Sequence, residues 1–549
     1  MMPPVLSSRT ILDIPLTQLR GNRISIESSA TPRRIRLIKC SALLDNNSLT
    51  IEEFIDFPSV PYSAISYVWK GNEPGPETQQ ETAVSGHFTV KGAEDGDPIS
   101  IDVLRYACIA ARDCYLDGMD HIWLDRVCIM QTNREDKSWQ ITQMFNVYKK
   151  AELAIILPGG IHHLVALNEE TSWVHRGWTL QEALAPEEAL VLHLWKWEQG
   201  IVGDPEDDDT SGIIQIVVPG YCALTTLENL VEACTLGSLQ WAPEALREDE
   251  REWYTVPTKI LGLKTSNLHA FLDALRVFDE DSNSARSAFR DYAIWKAALT
   301  RTSSRPVDMV FSIMGLFDVT LDPKAFRKDD RIGATIALAR EILSKGRCAS
   351  WIGISTRAPP CRQLSTFPEF PETTVVGKAF IRTADKMIDA ATIVDEDTYM
   401  GSLRPIEGEM DEAGYLKCKR KICILTPADT ANVLQDCAEC QRIIEAPGSQ
   451  QHLAAQTVDG KQWYFHENAY FEASSFPRIA AVALGPFATV NLSEEEDEIY
   501  KVMLVQEHAP EKFHIVSFFV LPNFDKFWGQ RLTMGWRERT LNIGGPEGK

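Results

Sequence analysis

The sequence predicts an α/β fold class: a parallel sheet with flanking helices in the N-terminal part, then a mainly helical region and a β-rich C-terminal region. Short apolar strand patterns alternate with amphipathic helix patterns up to about residue 200, and the connections between them are short. Such alternation is typical of a parallel sheet with right-handed crossovers. The chain has 549 residues, which is too long for one hydrophobic core, so we expect about three domains.

Two patterns predict the first strands. The alternation in RRIRLIKC (33–40) predicts a first, edge strand. The stretch PYSAISYVWKG (61–71) is mostly apolar on both of its faces, as expected for a strand that is covered on both sides in a parallel sheet. Its alternating faces carry Ile65, Tyr67 and Trp69 on one side and Ala64, Ser66 and Val68 on the other.

The following part of the chain predicts two helices and two further strands. The first helix takes Asp97 as its N-cap, and HIWLD (121–125) is typical of a short buried strand. A second amphipathic helix follows Asn133, which is a suitable N-cap, and AELAIILPGG (151–160) predicts another buried strand. Together with the strand before them, these elements form a β-α-β-α-β unit.

The loops after these strands are the expected location of a ligand site, because such sites in open parallel sheets lie beyond the carboxyl ends of the strands. The stretch RGWTLQEALAP (176–186) begins the next helix, and its Trp178 and Glu182 share one helical face. From the topology alone, we expect Glu182 to reach the same edge of the sheet. The loops at this edge contain residues 69–71, 125–126 and 158–160.

Composition shifts predict the organisation of the whole chain. We expect an acidic linker at 203–211 and a last boundary in the Pro-rich stretch 357–374. The role of residues 214–549 stays open. The predicted regions are an irregular N-terminus (1–30), the α/β domain (31–200), a mainly helical region (214–355) and an α+β or β-rich C-terminal region (375–549).

Charge and composition restrict the class of protein. The formal charge is −22 and the isoelectric point about 5.0, which argues against binding to nucleic acid or to an anionic membrane surface. No apolar run approaches the ~18 residues of a membrane span, and the first residues lack a secretory signal pattern. The 12 scattered cysteines suit reduced thiols. We therefore expect a cytoplasmic protein that acts with protein partners or by self-association.

The chain carries three distinctive blocks: YSAISYVWKG (62–71), IWLDRVCIMQTNREDKSWQITQMFNVYKKAELAIILPGG (122–160) and RGWTLQEALAP (176–186). In order and spacing they resemble the signature blocks of the fungal heterokaryon-incompatibility (HET) domain. The later SSRPVDMVFSIMGLF (303–317) resembles a segment that often follows this domain. Two positions depart from the family pattern: Lys70 is inserted before Gly71, and Met130 stands where the family usually has Asn.

The resemblance implies a domain that triggers cell death or self/non-self signalling in filamentous fungi. HET domains distantly resemble the Toll/interleukin-1 receptor (TIR) domain, which implies a flavodoxin-like parallel sheet. Many TIR domains cleave NAD with a Glu in a W-x-x-x-E element on the helix after the third strand. Trp178 and Glu182 match that element in residue type, spacing and place. By this analogy NAD is the substrate and Glu182 the catalytic residue.

Two interpretations of Glu182 stay open. As a catalytic group, its carboxylate stabilises the oxocarbenium-like state of nicotinamide–ribose cleavage, with Trp178 stacking on a base. As a structural group, it interacts with the positive end of its helix dipole, and Trp178 packs in the core.

The neighbouring candidates have the same two kinds of interpretation. Asp125 either binds a ribose hydroxyl or caps the turn to the next helix. Arg126 and Lys70 either contact a phosphate or are solvated surface residues. Gln131 and Gln181 bind either a ligand or, as we favour, the backbone. The complete set of ligand-binding candidates is Tyr67, Trp69, Asp125, Arg126, Trp178 and Gln181.

One cysteine is a runner-up nucleophile. Cys128 has His121 or His175 as a candidate base, although a cysteine in an apolar run such as VCIM is usually buried and unreactive. This pairing is the basis of a third function class, a cysteine-dependent hydrolase.

The sequence gives little support for a metal site, a cofactor site or a further class of enzyme. Cys437 and Cys440, with Cys418 and Cys423 upstream, have a loose zinc-ribbon spacing, but we favour ordinary thiols and expect no metal. The sequence has no G-x-x-x-x-G-K-[ST], G-x-G-x-x-G, H-E-x-x-H or G-x-S-x-G motif, so no ATPase module is predicted.

The first prediction is therefore an incompatibility effector that acts by NAD cleavage, and the strongest alternative is a non-catalytic, oligomerising signalling scaffold. The W-x-x-x-E element beside Asp125 favours the first, because a scaffold does not require a carboxylate in a cleft.

Overall fold

The computed structural model divides the chain into two compact units. Unit 1 comprises Met1–Leu268, Phe311–Arg327 and Val375–Gly377, and unit 2 comprises His269–Val310, Lys328–Thr374 and Lys378–Lys549. The structure describes residues 8–73, 85–113, 119–204, 207–244, 252–263, 266–276, 284–374, 377–383, 386–395, 397–399, 406–427, 444–445, 453–466, 477–489, 497–522 and 536–546.

The strands of unit 1 include every strand that the sequence predicts between residues 33 and 160. They are β1 (Ser8–Pro15), β2 (Arg23–Ile24), β3 (Ile35–Lys39), β4 (Ser48–Phe54), β5 (Ser63–Tyr67), β6 (His87–Val90), β7 (Ile99–Ser100), β8 (His121–Trp123), β9 (Leu153–Leu157), β10 (Ala189–Leu194), β11 (Gly200–Asp204), β12 (Asp207–Val218), β13 (Cys222–Thr226), β14 (Ser238–Pro243) and β15 (Tyr254–Pro257).

The helices of the chain are mostly short. They are α1 (Leu16–Leu19), α2 (Cys40–Leu44), α3 (Ile101–Asp113), α4 (Asp125–Cys128), α5 (Arg134–Lys149), α6 (Trp178–Leu184), α7 (Leu227–Leu236), α8 (Ser266–Arg276), α9 (Ser284–Leu299), α10 (Asp308–Met314) and α11 (Arg331–Ser344). Within the described ranges, each helix is too short or too polar to cross a membrane.

Unit 1 is built on a mixed sheet with the order β1-β4-β3-β8-β5-β9-β10-β13-β12-β11-β14-β15. The four central strands β8, β5, β9 and β10 run parallel to one another, whereas the strands on both sides pair antiparallel. Helix α3 connects β5 to β8 and α5 connects β8 to β9, so the predicted β-α-β-α-β unit is confirmed. β5 and β9 are buried along their whole length, as expected for parallel strands covered on both faces.

The N-terminal expectations need correction. Residues 1–30 were expected to be irregular, but β1 pairs with β4 along its full length. The predicted edge strand β3 lies inside the sheet, between β4 and β8. Both errors have the same cause: strand pairing over long sequence separations decides which strand is central, and local patterning does not report it.

The caps of the two crossover helices have different outcomes. Asn133 is confirmed as the N-cap of α5, since its side chain accepts hydrogen bonds from the amides of Glu135 and Asp136. The prediction for Asp97 is wrong, because α3 begins only at Ile101, after β7. The side chain of Asp97 instead accepts a hydrogen bond from the amide of Gly71 at 2.7 Å.

The region after residue 200 also differs from expectation. The acidic stretch 203–211 was expected to be a linker, but most of it belongs to the antiparallel pair β11–β12. The region 214–355 was expected to be mainly helical, and in its described residues the helices α7–α11 do predominate, although the strands of the sheet continue as far as β15. The boundaries of the predicted domains stay a prediction.

Unit 2 confirms that the C-terminal region is β-rich. Strand β24 pairs with both β25 and β20, so that β20, β24, β25, β26 and β27 form a closed ring of paired strands. The strands are β16 (Phe380–Arg382), β17 (Met387–Asp389), β18 (Asp397–Tyr399), β19 (Gly408–Met410), β20 (Leu416–Pro427), β21 (Ile444–Glu445), β22 (Leu453–Gln456), β23 (Gln462–His466), β24 (Ile479–Thr489), β25 (Asp497–Ala509), β26 (Lys512–Pro522) and β27 (Arg537–Ile543).

Candidate functional site

The carboxyl ends of β5, β8 and β9 lie side by side in the sheet of unit 1. Helix α6, which begins at Trp178, packs against β5. This places the third sequence block beside the end of the first parallel strand, as the sequence predicts.

Glu182 on α6 is hydrogen-bonded to the strand beneath it. The Ser66 hydroxyl donates to Oε2 of Glu182 at 2.6 Å, and the Trp173 indole Nε1 donates to the Ser66 Oγ at 2.9 Å. Ser66 and Trp173 are fully buried, whereas Glu182 is partly buried. The result is a short chain of hydrogen bonds that runs from the core to a carboxyl group.

The environment of Glu182 favours its protonated form. Burial raises the pKa of the Glu182 carboxyl group to about 8, and the negative charge of Asp125 adds to the rise. The hydrogen bond from Ser66 and a second one with Tyr148 act in the opposite direction but do not compensate. A carboxyl group that titrates near neutral pH is suited to acid–base or electrostatic chemistry at a site.

Asp125 is in a different position, because several donors already engage its carboxyl group. The Tyr67 hydroxyl donates to Oδ1 at 2.6 Å and the Trp69 indole Nε1 donates to Oδ2 at 2.8 Å. The backbone amide of Arg126 also donates to Oδ1, at 2.6 Å. Burial, together with Asp125, raises the pKa of Tyr67 well above its usual range, so this phenol remains a neutral donor.

The remaining rim candidates also bind the protein itself. Arg126 is fully buried, and its guanidinium donates to the carbonyl oxygens of Asp97 at 2.5 Å and Ala93 at 3.0 Å. Gln131 donates to the carbonyl oxygen of Asp125 at 2.9 Å, which is the backbone partner that we favoured. Lys70 is exposed.

The two loops that follow β5 and β9 meet backbone to backbone. A Cβ at Gly71 would lie 1.8 Å from the carbonyl oxygen of Gly159, so only glycine fits there. The amide of Asn72 donates to the same carbonyl at 3.1 Å, and His162 contacts the Asn72 carbonyl at 2.7 Å. The insertion of Lys70 therefore leaves Gly71 at a position where glycine is required.

The arrangement around Cys128 is that of a structural thiol. Cys128 is fully buried, and burial raises the pKa of its thiol to about 12. The backbone amide of Leu124 donates to its Sγ at 3.5 Å. Its two candidate bases have other partners: His121 pairs with Glu52 at 3.2 Å, and His175 contacts Asn267 at 3.5 Å.

Met130, the second departure from the family pattern, lies in the loop after α4 and helps to hold that loop in place. Its side chain is buried and its amide donates to Asp136 Oδ2 at 3.0 Å. Asp136 and Glu53 hold the fully buried guanidinium of Arg36, which also donates to the Cys128 carbonyl oxygen at 2.9 Å.

The remaining candidates of the third block lie on α6. Trp178 is the first residue of the helix and is partly buried. Gln181 is 1% exposed and lines a cavity between α6, α5 and residues 314–320.

The metal hypothesis concerns residues that the structure covers only in part. Cys418 and Cys423 are buried on β20, whereas Cys437 and Cys440 lie outside the described residues. In the described part of the chain, no three His, Cys, Asp or Glu side chains are grouped as metal ligands.

Sequence reasoning missed the immediate partners of Glu182. Ser66 was placed only on the second face of its strand, Tyr148 lies in the predicted second helix without a role of its own, and Trp173 precedes the third block. The Ser66–Glu182 hydrogen bond joins residues 116 positions apart. No local signal in the sequence indicates such a pairing.

Comparison with known proteins supports the family resemblance. Residues 62–168 match the family model of the heterokaryon incompatibility protein (HET), so the chain contains a HET domain. The chain is also 25% identical over 162 residues to the vegetative incompatibility protein HET-E-1 of Podospora anserina, over 27% of this chain and 11% of that protein. The chain thus spans about a tenth of the length of this relative. No solved structure matches the chain.

Proposed function

We propose that this HET-domain chain is an effector of heterokaryon incompatibility, which triggers cell death in self/non-self recognition in fungi and acts in the cytoplasm. The similarity to a vegetative incompatibility protein supports this role. The strongly acidic composition speaks against nucleic acid as its partner and leaves proteins, including a second copy of the chain, as the expected partners.

The proposed activity is cleavage of the nicotinamide–ribose bond of NAD at Glu182. In chain order the parallel strands are β5, β8, β9 and β10, and in the sheet they lie in the order 2-1-3-4. Flavodoxin-like sheets have this order and bind their ligands beyond the carboxyl ends of the strands. The order supports a flavodoxin- or TIR-like central domain, in which the W-x-x-x-E element of α6 follows the third parallel strand.

The observation that carries this proposal is the state of the Glu182 carboxyl group. Burial holds its pKa at about 8, and it lies on the helix beside the end of β5, within 2.6 Å of Ser66. Structural glutamates at helix surfaces have no need of such an environment, whereas catalytic carboxyl groups often have one.

The reaction balances with water as the co-reactant. The bond from the ribose C1′ to the nicotinamide nitrogen breaks, and its electron pair leaves with nicotinamide. The Glu182 carboxylate stabilises the positive charge that develops on the ribose, and water adds to C1′ and releases a proton. The products are ADP-ribose, nicotinamide and a proton. Since the carboxylate is the active form, the rate is expected to rise with pH, with its midpoint near pH 8.

The other rim residues receive different roles in this proposal. In the proposal Trp178 offers a ring face to a base; its partial burial and the helical face that it shares with Glu182 support this role. Tyr67, Trp69 and Asp125 hold one another and act as positioning residues for the loop after β5. Arg126 supports the same loop, because its guanidinium lies 5.6 Å from the centre of the Trp69 ring.

The test is an assay of NAD loss and nicotinamide release with the full chain. Glu182→Gln keeps the size of the side chain and removes the charge, and Glu187→Gln, an exposed neighbour, is the matched control. We expect a loss of about 100-fold or more for Glu182→Gln, in the range of lost electrostatic catalysis, and no change for the control. Toxicity in a fungal host is followed in parallel.

An unchanged NAD level with the active, toxic wild-type chain would overturn the enzymatic proposal. Equal NAD cleavage by wild type and a well-folded Glu182→Gln variant would remove Glu182 from the mechanism.

A non-catalytic signalling scaffold is the second candidate, and a surface feature favours it. Trp197 and Tyr254 are 54% and 47% exposed, and both contact Trp241 within an aromatic cluster. Tyr254 lies on β15, the last strand of the sheet, whose open edge offers backbone hydrogen bonds to another chain. Light scattering measures the oligomeric state of the wild-type chain and of Trp197→Ala. The scaffold candidate requires that the wild-type chain assembles and that the substitution weakens the assembly.

A further inference from the structure

A polar cavity of about 200 Å³ lies on the side of α6 that faces α5. Its walls come entirely from unit 1. The lining residues are Ile141, Thr142, Phe145, Asn146, Lys149, Gln181, Met314, Gly315, Asp318, Val319 and Thr320.

Gln181 is the buried polar side chain of this cavity. It is 1% exposed, and within the described residues its Nε2 has no hydrogen-bond partner. Buried donors in folded proteins are nearly always paired, because an unpaired one loses its hydration without compensation. An amide donor that lines a cavity without a partner therefore indicates that a ligand or ordered water accepts its hydrogen bond.

One wall of the cavity is formed by a close approach of the backbone to α5. Gly315 packs against Phe145 so closely that a Cβ at Gly315 would lie 2.3 Å from the Cβ of Phe145. The chain then turns at Asp318, which has a φ of +57°. The chain therefore passes close to α5 at Gly315, and the residues of the turn after it, Asp318, Val319 and Thr320, line the cavity.

Two charged side chains line the cavity, Lys149 on the α5 wall and Asp318 in the segment after Gly315, and the α5 wall carries the positive one. Lys149 lines the cavity in the last turn of α5 and its ammonium lies 5.6 Å from the centre of the Phe145 ring. Asn146 and Thr142 on the same helix add polar groups. An amide donor and an ammonium group on adjacent walls match a carboxylate, which accepts hydrogen bonds and carries the opposite charge.

We propose that this cavity binds a small organic carboxylate, which accepts a hydrogen bond from Gln181 and pairs with Lys149. The site is separate from the chemistry proposed for Glu182, because adjacent helical residues point about 100° apart around the helix axis. Glu182 faces β5, whereas Gln181 faces α5. The ligand holds α6 against α5 and against the segment after Gly315, and so stabilises the helix that carries Glu182.

The test uses succinate as the probe and the full chain as the protein. Isothermal titration calorimetry measures its affinity, and a thermal scan measures the stabilisation that a ligand of the folded state must produce. Succinamide, which lacks the negative charge, is the matched neutral probe. We expect succinate to bind and to raise Tm, and succinamide to bind at least about 10-fold more weakly.

Two substitutions and one control locate the site. Gln181→Leu removes the donor and Lys149→Met removes the charge, and each is expected to weaken succinate binding by about 10-fold or more. Lys150→Met is the matched control, because Lys150 lies next in the chain but packs over the ring of Phe57 instead of lining the cavity. It should bind succinate as the wild type does.

Three results would overturn the proposal. These are the absence of succinate binding to the wild-type chain, equal affinity for succinamide, and unchanged succinate affinity of both Gln181→Leu and Lys149→Met. The measurement is of binding, so it is independent of whether the chain cleaves NAD.

Discussion

Two carboxyl groups at the end of the same set of parallel strands have opposite surroundings. The carboxyl group of Asp125 accepts hydrogen bonds from Tyr67, Trp69 and a backbone amide. Glu182 has its closest donor in Ser66, and burial raises its pKa to about 8. Position at the rim of the sheet is shared by both residues. Their hydrogen-bond partners distinguish a carboxyl group that three donors hold in place from the one to which our proposal assigns the chemistry.

The largest effect on stability is expected at Asp125. Asp125→Ala leaves the Tyr67 hydroxyl and the Trp69 indole without their acceptor, which should lower the free energy of unfolding by about 3–5 kcal/mol. Asp113→Ala is the control, because Asp113 forms an exposed ion pair with Arg112 and should cost less than about 1 kcal/mol. Denaturation in urea measures both. A loss below about 1 kcal/mol for Asp125→Ala would contradict the stabilising role of Asp125.

Glu182→Gln is expected to act in the opposite direction and with a dependence on pH. The folded chain keeps the Glu182 proton up to about pH 8, whereas an unfolded chain releases it near the usual glutamate pKa. The unfolded state therefore binds fewer protons between these values, and wild-type stability from this group is full below about pH 4.5 and falls as pH rises to about 8. Glutamine does not titrate and avoids this loss.

The measurement is the difference in unfolding free energy between Glu182→Gln and wild type at several pH values. The variant should gain on the order of 2–4 kcal/mol by pH 8 and nothing near pH 4, since one pKa unit corresponds to about 1.4 kcal/mol. A constant difference across this range would show that the Glu182 carboxyl group titrates at its ordinary pKa.

Ser66→Ala should have two smaller effects, one on the pH dependence of the rate and one on stability. The Ser66 hydroxyl lowers the pKa of Glu182, so its removal is expected to move the midpoint of the pH–rate profile further above 8. It also leaves the buried Trp173 indole without its acceptor, which should cost about 1–2 kcal/mol of stability. An unchanged midpoint together with an unchanged Tm would contradict the role of this hydrogen-bond chain.

The smallest effect is expected at Cys128. Its thiol is buried and its pKa is about 12, so Cys128→Ser should leave NAD cleavage within about twofold of wild type and change stability by about 1 kcal/mol. Complete loss of activity in a folded Cys128→Ser variant would revive the hydrolase hypothesis.

The sequence predicted the elements that depend on local chemistry. The buried runs of β5 and β9, the cap at Asn133 and the amphipathic α5 follow from periodicity and short-range hydrogen bonds. The order of these elements along the chain also predicted the parallel strands β8, β5, β9 and β10, which form the centre of a mixed sheet. A ligand site with Trp178 and Glu182 at the edge of these strands stays a prediction. The three sequence blocks led to the HET domain, which the match over residues 62–168 confirms.

Tertiary structure decided the features that depend on partners far apart in the chain. The pairing of β1 with β4 turned an expected irregular N-terminus into sheet, and β3 became an interior strand. The same holds for the site: the sequence offered Glu182 as the catalytic and Asp125 as a ligand-binding candidate, and only the fold brings three donors to Asp125 and places the partly buried Glu182 beside Ser66. A pKa depends on burial and on neighbouring groups, and neither is encoded within a helical turn.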